Sequence, residues 1–202
     1  MKDKENNRNQ RFLRVPTEPK KKNNRLSKDA YYINIAKSVA ARATCRSVKF
    51  GAIIVKDDQI IATGYVGAPR KTKDCLERGN CLRRELKIPS GHRYELCRSV
   101  HAEMNAIVNA ARAGVSVLGG DVYIYGEKIF DGKSKRINMV PCFICKKMII
   151  NSGIKRVIGS TEDGGLKIFS VDAWVKDWQE KDMLDDMEMY DANYYVEKKA
   201  KK

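Results

Sequence analysis

Two short motifs set the strongest condition on how this chain can fold: His101-Ala102-Glu103 and Pro141-Cys142-Phe143-Ile144-Cys145. Each opens an apolar-periodic stretch. The first stretch starts near Val100 and stops at Gly114. The second has Pro141 suited to a first helical turn and ends at Ser152–Gly153. A helix that begins with Cys-x-x-Cys presents two thiols one turn apart, and its amino end favours their anionic, metal-binding form. With one imidazole nitrogen they make three ligands and leave one tetrahedral position open, as in catalytic rather than structural zinc sites. Glu103 lies two residues from the histidine and can reach a water at that position without being a ligand. The fold must therefore bring two helix starts together. Two other readings stand beside this one: a redox dithiol for Cys142 and Cys145, which has no use for His-x-Glu, and a packed structural histidine for His101.

The remaining pattern is compatible with that demand. Ser27 is suited to N-cap "SKDAYYINIAKSVAARATC", a helix with Tyr32, Ile35, Ala36, Val39 and Ala40 on one face. "GAIIVKDDQIIATGY" reads as a hairpin turning at Asp57–Asp58. Residues 65–98 are charged, cysteine-bearing and without period; a loop of that length carries function or needs a staple. Residues 121–126 read as a strand, 127–140 as a polar loop, 154–159 as a strand and "GGLKIFSV" as a short strand, with a helix from Asp172. This order predicts an α/β fold with a mixed central sheet and helices on both faces. The expected organisation is a basic tail at 1–27, one domain at 28–171, and an acidic helical extension with a basic tail at 172–202.

Charge and cysteine content narrow the partners. The net charge is +15, with +7 in residues 1–28, +3 in 197–202, −6 in 172–191 and +11 in 29–171. The basic ends hold too little apolar surface to order themselves and serve either as solubility tails or as nucleic-acid contacts. A basic body suits an anionic ligand, and Arg46, Lys49 and Arg70 are candidates for a phosphate, each equally readable as surface charge. No apolar run approaches the roughly 20 residues of a bilayer span, and no apolar segment follows the charges of "MKDKENNRNQRF". The six cysteines then suggest a reducing, cytoplasmic setting.

The combination H-x-E…P-C-x-x-C is the signature of zinc deaminases that act on nucleobases. Together with "GAIIVKDDQIIATGYVGAPR", "GNCLRRELKIPSGHRYELCRSVHAEMNAI" and "PCFICKKMIINSGIKRVI", it makes residues 28–160 resemble the deoxycytidylate (dCMP) deaminase branch of the cytidine deaminase superfamily. The resemblance implies a three-layer α/β/α sandwich, hydrolysis of dCMP to dUMP and ammonia, and a homo-oligomer, hexamer or dimer, with dCTP and dTTP as effectors. It implies that His101, Cys142 and Cys145 hold zinc while Glu103 moves protons. Cys45 and Cys75 resemble, in placement, ligands of a second, structural zinc. Cys81 and Cys97 would complete that set, with His92 able to replace one; unmetallated core thiols are the alternative. In the substrate loop, whose candidate contacts are Val66 and Gly67, Val66 stands where the family often has an Asn that can hold the sugar, which leaves the choice of sugar open. Two function classes remain: an enzyme of free nucleotides, and a deaminase of cytosine or adenine in single-stranded nucleic acid or tRNA. A catalytically silent zinc scaffold is a third, disfavoured by the intact set of His101, Glu103, Cys142 and Cys145.

Overall fold

The computed structural model describes residues 25–89 and 92–181. The expected basic tail up to residue 24, and the extension from 182 onward, lie outside the described residues. The elements are α1 (Lys28–Ala40), β1 (Val48–Lys56), β2 (Gln59–Tyr65), α2 (Leu82–Glu85), α3 (Ala102–Arg112), β3 (Asp121–Phe130), β4 (Lys133–Arg136), α4 (Phe143–Asn151), β5 (Arg156–Ser160), β6 (Leu166–Ser170) and α5 (Val171–Glu180). Strands run in the order β2-β1-β3-β5-β6, with β4 added to β3. β1 is antiparallel to both β2 and β3, so those two point the same way; β3 and β5 are parallel, and β6 is antiparallel. The sheet is mixed, as expected.

Alternation along the strands sends two sets of side chains to two faces. Ile53, Val55, Tyr123, Tyr125 and Ile158 pack with α1 through Tyr32, Ile33, Ala36 and Ala40. Ala52, Ile54, Val122, Ile124 and Val157 pack with residues of α3, α4 and α5, including Ala106, Cys145, Ile149 and Trp174. The result is helix, sheet, helix. Ser27 caps α1, its hydroxyl accepting from the Ala30 N–H at 3.2 Å. The buried stripe of α1 is rotated from expectation: Ile33 is deeply buried, while Ile35 and Val39 are only partly so.

Both α3 and α4 are crossover helices between parallel strands, from β2 to β3 and from β3 to β5. Each begins after the carboxyl end of its strand, where ligands gather in α/β sheets. Close docking fixes α3: a Cβ on Gly64 would lie 2.3 Å from the Ala106 nitrogen and 2.4 Å from the Ala102 oxygen. Asn105 and Asn109 lace the same helix to β2, donating to the carbonyls of Tyr65 and Thr63 at 2.8 Å each. α5 lies against α4, with the Lys146 ammonium 5.3 Å from the Trp174 ring centre and 5.9 Å from that of Trp178.

The polar loop expected at 127–140 is instead largely a hairpin. β3 runs on to Phe130, and β4 returns with Glu127 opposite Arg136 and Lys128 opposite Lys135. Asp131 and Gly132 form its turn at φ 47° and 75°, the positive angles that a two-residue hairpin turn requires. The predicted Asp57–Asp58 turn has the same form, at φ 49° and 63°.

Candidate active site

His101 and Cys142 are the N-cap residues of α3 and α4, and neither side chain is used in capping. Both are thereby free to face the gap between the two helix starts. The His101 Nδ1 lies 3.3 Å from the Cys142 Sγ and 3.4 Å from the Cys145 Sγ. Among the described residues, these three form the one group of three or more His, Cys and acidic ligand atoms lying within 4.8 Å of one another. Two sulfurs and an imidazole nitrogen at that spacing fit zinc.

Electrostatics divides the protons unevenly among these groups. The Cys142 thiol is held far below its ordinary range, first by its hydrogen bond with Cys145 and then by His101. Cys145 keeps its proton, raised by the same shared bond with Cys142 and by burial. Burial opposes charge on His101, yet its bond to Cys142 raises its pKa overall. Glu103 is 4% exposed. Burial, above all, pushes its carboxyl up, while the charge on His101 pulls the other way. A buried carboxyl beside these groups is suited to take and give a proton, and a bound metal would displace the protons of Cys145 and His101.

The other expected residues fall in three places. Val66 is buried; its N–H donates to the Phe50 carbonyl at 3.0 Å. Gly67 forms an isolated antiparallel bridge with Val100, the residue before His101, through bonds of 3.2 and 2.8 Å. The Val66-Gly67 loop therefore abuts the metal-ligand segment. The Arg70 guanidinium donates to the Asn109 Oδ1 at 2.9 Å and lines a cavity of ≈ 440 Å³ with Thr44, Tyr65 and Asn105. Lys49 is paired in register with Glu127, and Arg46 is exposed.

Cys45, Cys75, Cys81 and Cys97 are all free thiols. Ser47 links two of them, its N–H meeting the Cys45 Sγ at 3.4 Å and its hydroxyl the Cys81 Sγ at 3.7 Å. Arg98 reaches the Cys75 Sγ at 3.9 Å. Burial raises the Cys45 thiol, with lesser contributions from Cys97 and Cys75. The four share a neighbourhood without closing to the spacing of the first site. The His92 carbonyl accepts from Arg83 at 2.5 Å.

Two residues not anticipated also border the site. The Tyr94 ring meets His101 edge to face, with centres 4.8 Å apart and planes at 90°. The Arg83 guanidinium carbon lies 5.0 Å from the Tyr94 ring centre. Both come from the aperiodic segment, where no spacing signal marks them.

One His and two Cys from the starts of two crossover helices, with a buried glutamate beside them, are the ligand set and acid–base residue of the zinc-dependent nucleobase deaminases. Residues 26–161 match the family model described as the cytidine and deoxycytidylate deaminase zinc-binding region, and the chain belongs to that family. The deoxycytidylate deaminase of Schizosaccharomyces pombe is 32% identical over 137 residues, covering 68% of this chain and 38% of that protein. The deoxycytidylate deaminase of Mycobacterium phage D29 is 33% identical over 135 residues, covering 64% of this chain and 91% of the phage protein. Among solved structures, the apo dCMP deaminase of cyanophage S-TIM5 is 27% identical with a TM-score of 0.45, over 64% of this chain and 79% of that one. The match thus spans well under half the length of the fission-yeast relative and nearly all of the mycobacteriophage one.

Proposed function

We propose that this chain is a zinc-dependent deaminase of free nucleotides, converting dCMP and water to dUMP and ammonia. The observation that carries the reading is the buried Glu103 carboxyl beside the His101–Cys142–Cys145 cradle. The names of the fission-yeast and phage relatives support dCMP as the substrate.

When bound, zinc supplies a Lewis acid that makes water acidic near neutral pH. Glu103 takes a proton from the attacking water as its oxygen bonds to C4 of the pyrimidine. It delivers that proton to N3, then passes the second to the amine as the C4–N bond breaks and ammonia leaves. One carboxyl serves both transfers because each returns it to its starting form. The bridge between Gly67 and Val100 supports a role for Val66-Gly67 as one wall of the substrate pocket. Val66 offers no side-chain hydrogen bond there, so dCMP should be preferred over CMP by less than about a hundredfold.

The reading extends to a second, structural zinc held by Cys45, Cys75, Cys81 and Cys97, with His92 as an alternative ligand. The bonds of Ser47 and Arg98 to three of those sulfurs support it. It also extends to a cytoplasmic homo-oligomer regulated by nucleoside triphosphates; among the described residues, no helix is long and apolar enough to cross a membrane.

Ammonia release with dCMP, CMP, deoxycytidine and single-stranded DNA, measured side by side, tests the substrate. Turnover of DNA alone would replace the reading with a polymer-acting deaminase. Metal analysis should give two zincs per chain, falling to one in Cys75→Ser with a lower melting temperature. One zinc in the wild type would remove the structural site.

A further inference from the structure

The residues paired across the β3–β4 hairpin sort into two unlike faces. Lys128 stands opposite Lys135 and Phe130 opposite Lys133; Glu127 stands opposite Arg136 and Ile129 opposite Ser134. Directly opposed residues share a face, and alternate residues along a strand return to it. One face therefore holds Lys128, Phe130, Lys133 and Lys135, with no acid. The other holds Glu127 and Arg136, both engaged with Tyr125. The Tyr125 hydroxyl donates to the Glu127 carboxylate at 2.7 Å, and the Arg136 guanidinium carbon lies 5.2 Å from the Tyr125 ring centre. The lysine face continues the side of β3 on which Val122 and Ile124 pack with α3 and α4. Phe50 and Met139 cover it as far as Gly126. Beyond that point it opens to solvent: Lys133 and Lys135 are exposed, and Phe130 is 57% exposed. The three ammonium groups form no ion pair among the described residues. Arg84, also exposed, donates to the Ile129 carbonyl at 3.3 Å and adds a cation at the flank of the hairpin.

Two lysines set directly opposite one another weaken a hairpin, and an aromatic ring left in water forfeits its burial. Charge on an edge strand discourages pairing with other sheets, but Phe130 has no part in that protection. A polyanion with flat apolar faces offsets both costs. We propose that this face binds single-stranded nucleic acid, its lysines meeting successive phosphates and Phe130 stacking on a base. Cations along the backbone and an aromatic platform under the bases hold such strands without regard to sequence. The net charge of +11 over residues 29–171 adds attraction at longer range. An acidic polypeptide would use the charge and leave the ring idle. The inference goes beyond the free-nucleotide reading and does not depend on it: it concerns binding of a polymer, with no conversion of it.

The test is fluorescence anisotropy of a labelled oligothymidylate with the full zinc-loaded chain. Thymine has no amino group to remove, so binding is read apart from turnover. Phe130→Ala should weaken binding about 5- to 100-fold, and Phe130→Tyr should restore it. The double variant Lys133→Ala, Lys135→Ala should lower the slope of log affinity against log salt by about 0.7 for each lysine. All of these variants should turn over dCMP with wild-type kcat and KM. A wild type that does not bind the oligonucleotide overturns the proposal. So does an unaltered affinity in Phe130→Ala or an unaltered slope in the lysine variant, which would move the contact to the basic ends. A raised KM for dCMP in the lysine variant also overturns it, because the face would then belong to the substrate site. Polyglutamate that displaces the label as well as unlabelled oligothymidylate does would make the partner an acidic polypeptide instead. Oligonucleotide binding without dCMP turnover would overturn the free-nucleotide reading alone.

Discussion

At the scale of single residues, Glu103 carries the sharpest consequences. Glu103→Gln should fold and keep its metal yet lose turnover by roughly 10²–10⁴-fold or more, because a positioned acid–base group contributes about that much. The same substitution has an opposite effect on stability. The Glu103 carboxyl is raised in the fold chiefly by burial, so the native state holds a proton that the unfolded chain releases at lower pH. That contribution is complete below the unfolded carboxyl range and is lost as pH rises through the raised folded value. In chelator, wild type should therefore lose melting temperature relative to Glu103→Gln as pH rises, a gap that two pH series of thermal melts would measure; parallel curves would refute the burial argument. That His101, Cys142 and Cys145 come together was legible in the sequence because each motif places its residues within one turn of a helix start. Arg83 and Tyr94 were not, since their positions depend on the path of an aperiodic loop. Of the expected phosphate contacts Arg46, Lys49 and Arg70, the structure places Arg70 on a cavity wall; charge alone marks the three as candidates without saying which way each side chain faces.

Among the elements, strands and helices with strong alternation or clear caps were readable, and the Asp57–Asp58 hairpin formed where its turn residues lie. The β3–β4 hairpin was missed although Asp131-Gly132 is a turn pair of the same kind. Its strands "EKIF" and "KSKR" are so charged that they resemble a solvated loop, and β4 is paired only along one edge. Hydrogen bonding to β3 overrides that weak local preference. The docking of α3 on β2 was equally hidden, because it depends on an absent side chain. Gly64→Ala places a methyl 2.3 Å from the Ala106 nitrogen. Backbone cannot yield as a flexible side chain can, so the substitution should cost about 1–3 kcal/mol, the usual range for overpacking. It should also shift His101 and weaken zinc retention. Denaturant unfolding and the rate of metal loss to a chelator measure the two effects; wild-type values in both would show that α3 is free to move off the sheet.

For the whole molecule, the sandwich follows from where the apolar residues alternate, and its layers were anticipated from element order alone. The order of strands was not, because pairing of distant strands leaves no local trace. Metal binding should couple to this entire assembly. A ligand that binds only the folded state at a hundredfold excess over its Kd stabilises by about 2.7 kcal/mol, or roughly 5–11 °C for a chain of this size. Chelation should lower the melting temperature by about that much for each occupied site, and zinc should restore it. Scanning calorimetry with and without chelator decides; coincident transitions would mean that no metal is bound.

The two crossover helices also impose a timetable. Cys142 follows His101 by 41 residues, so at a synthesis rate of roughly 5–20 residues/s the histidine emerges about 2–8 s before the first cysteine ligand. During that interval α1, the first hairpin and the start of α3 are available to fold, while no pair of ligands from the two helices exists to trap an ion. Metal capture by the full set therefore waits for the start of α4, while β5, β6 and α5 are still to be made. The early elements must find one another by their own packing, and a captured ion would join the two helix starts before the far edge of the sheet is added.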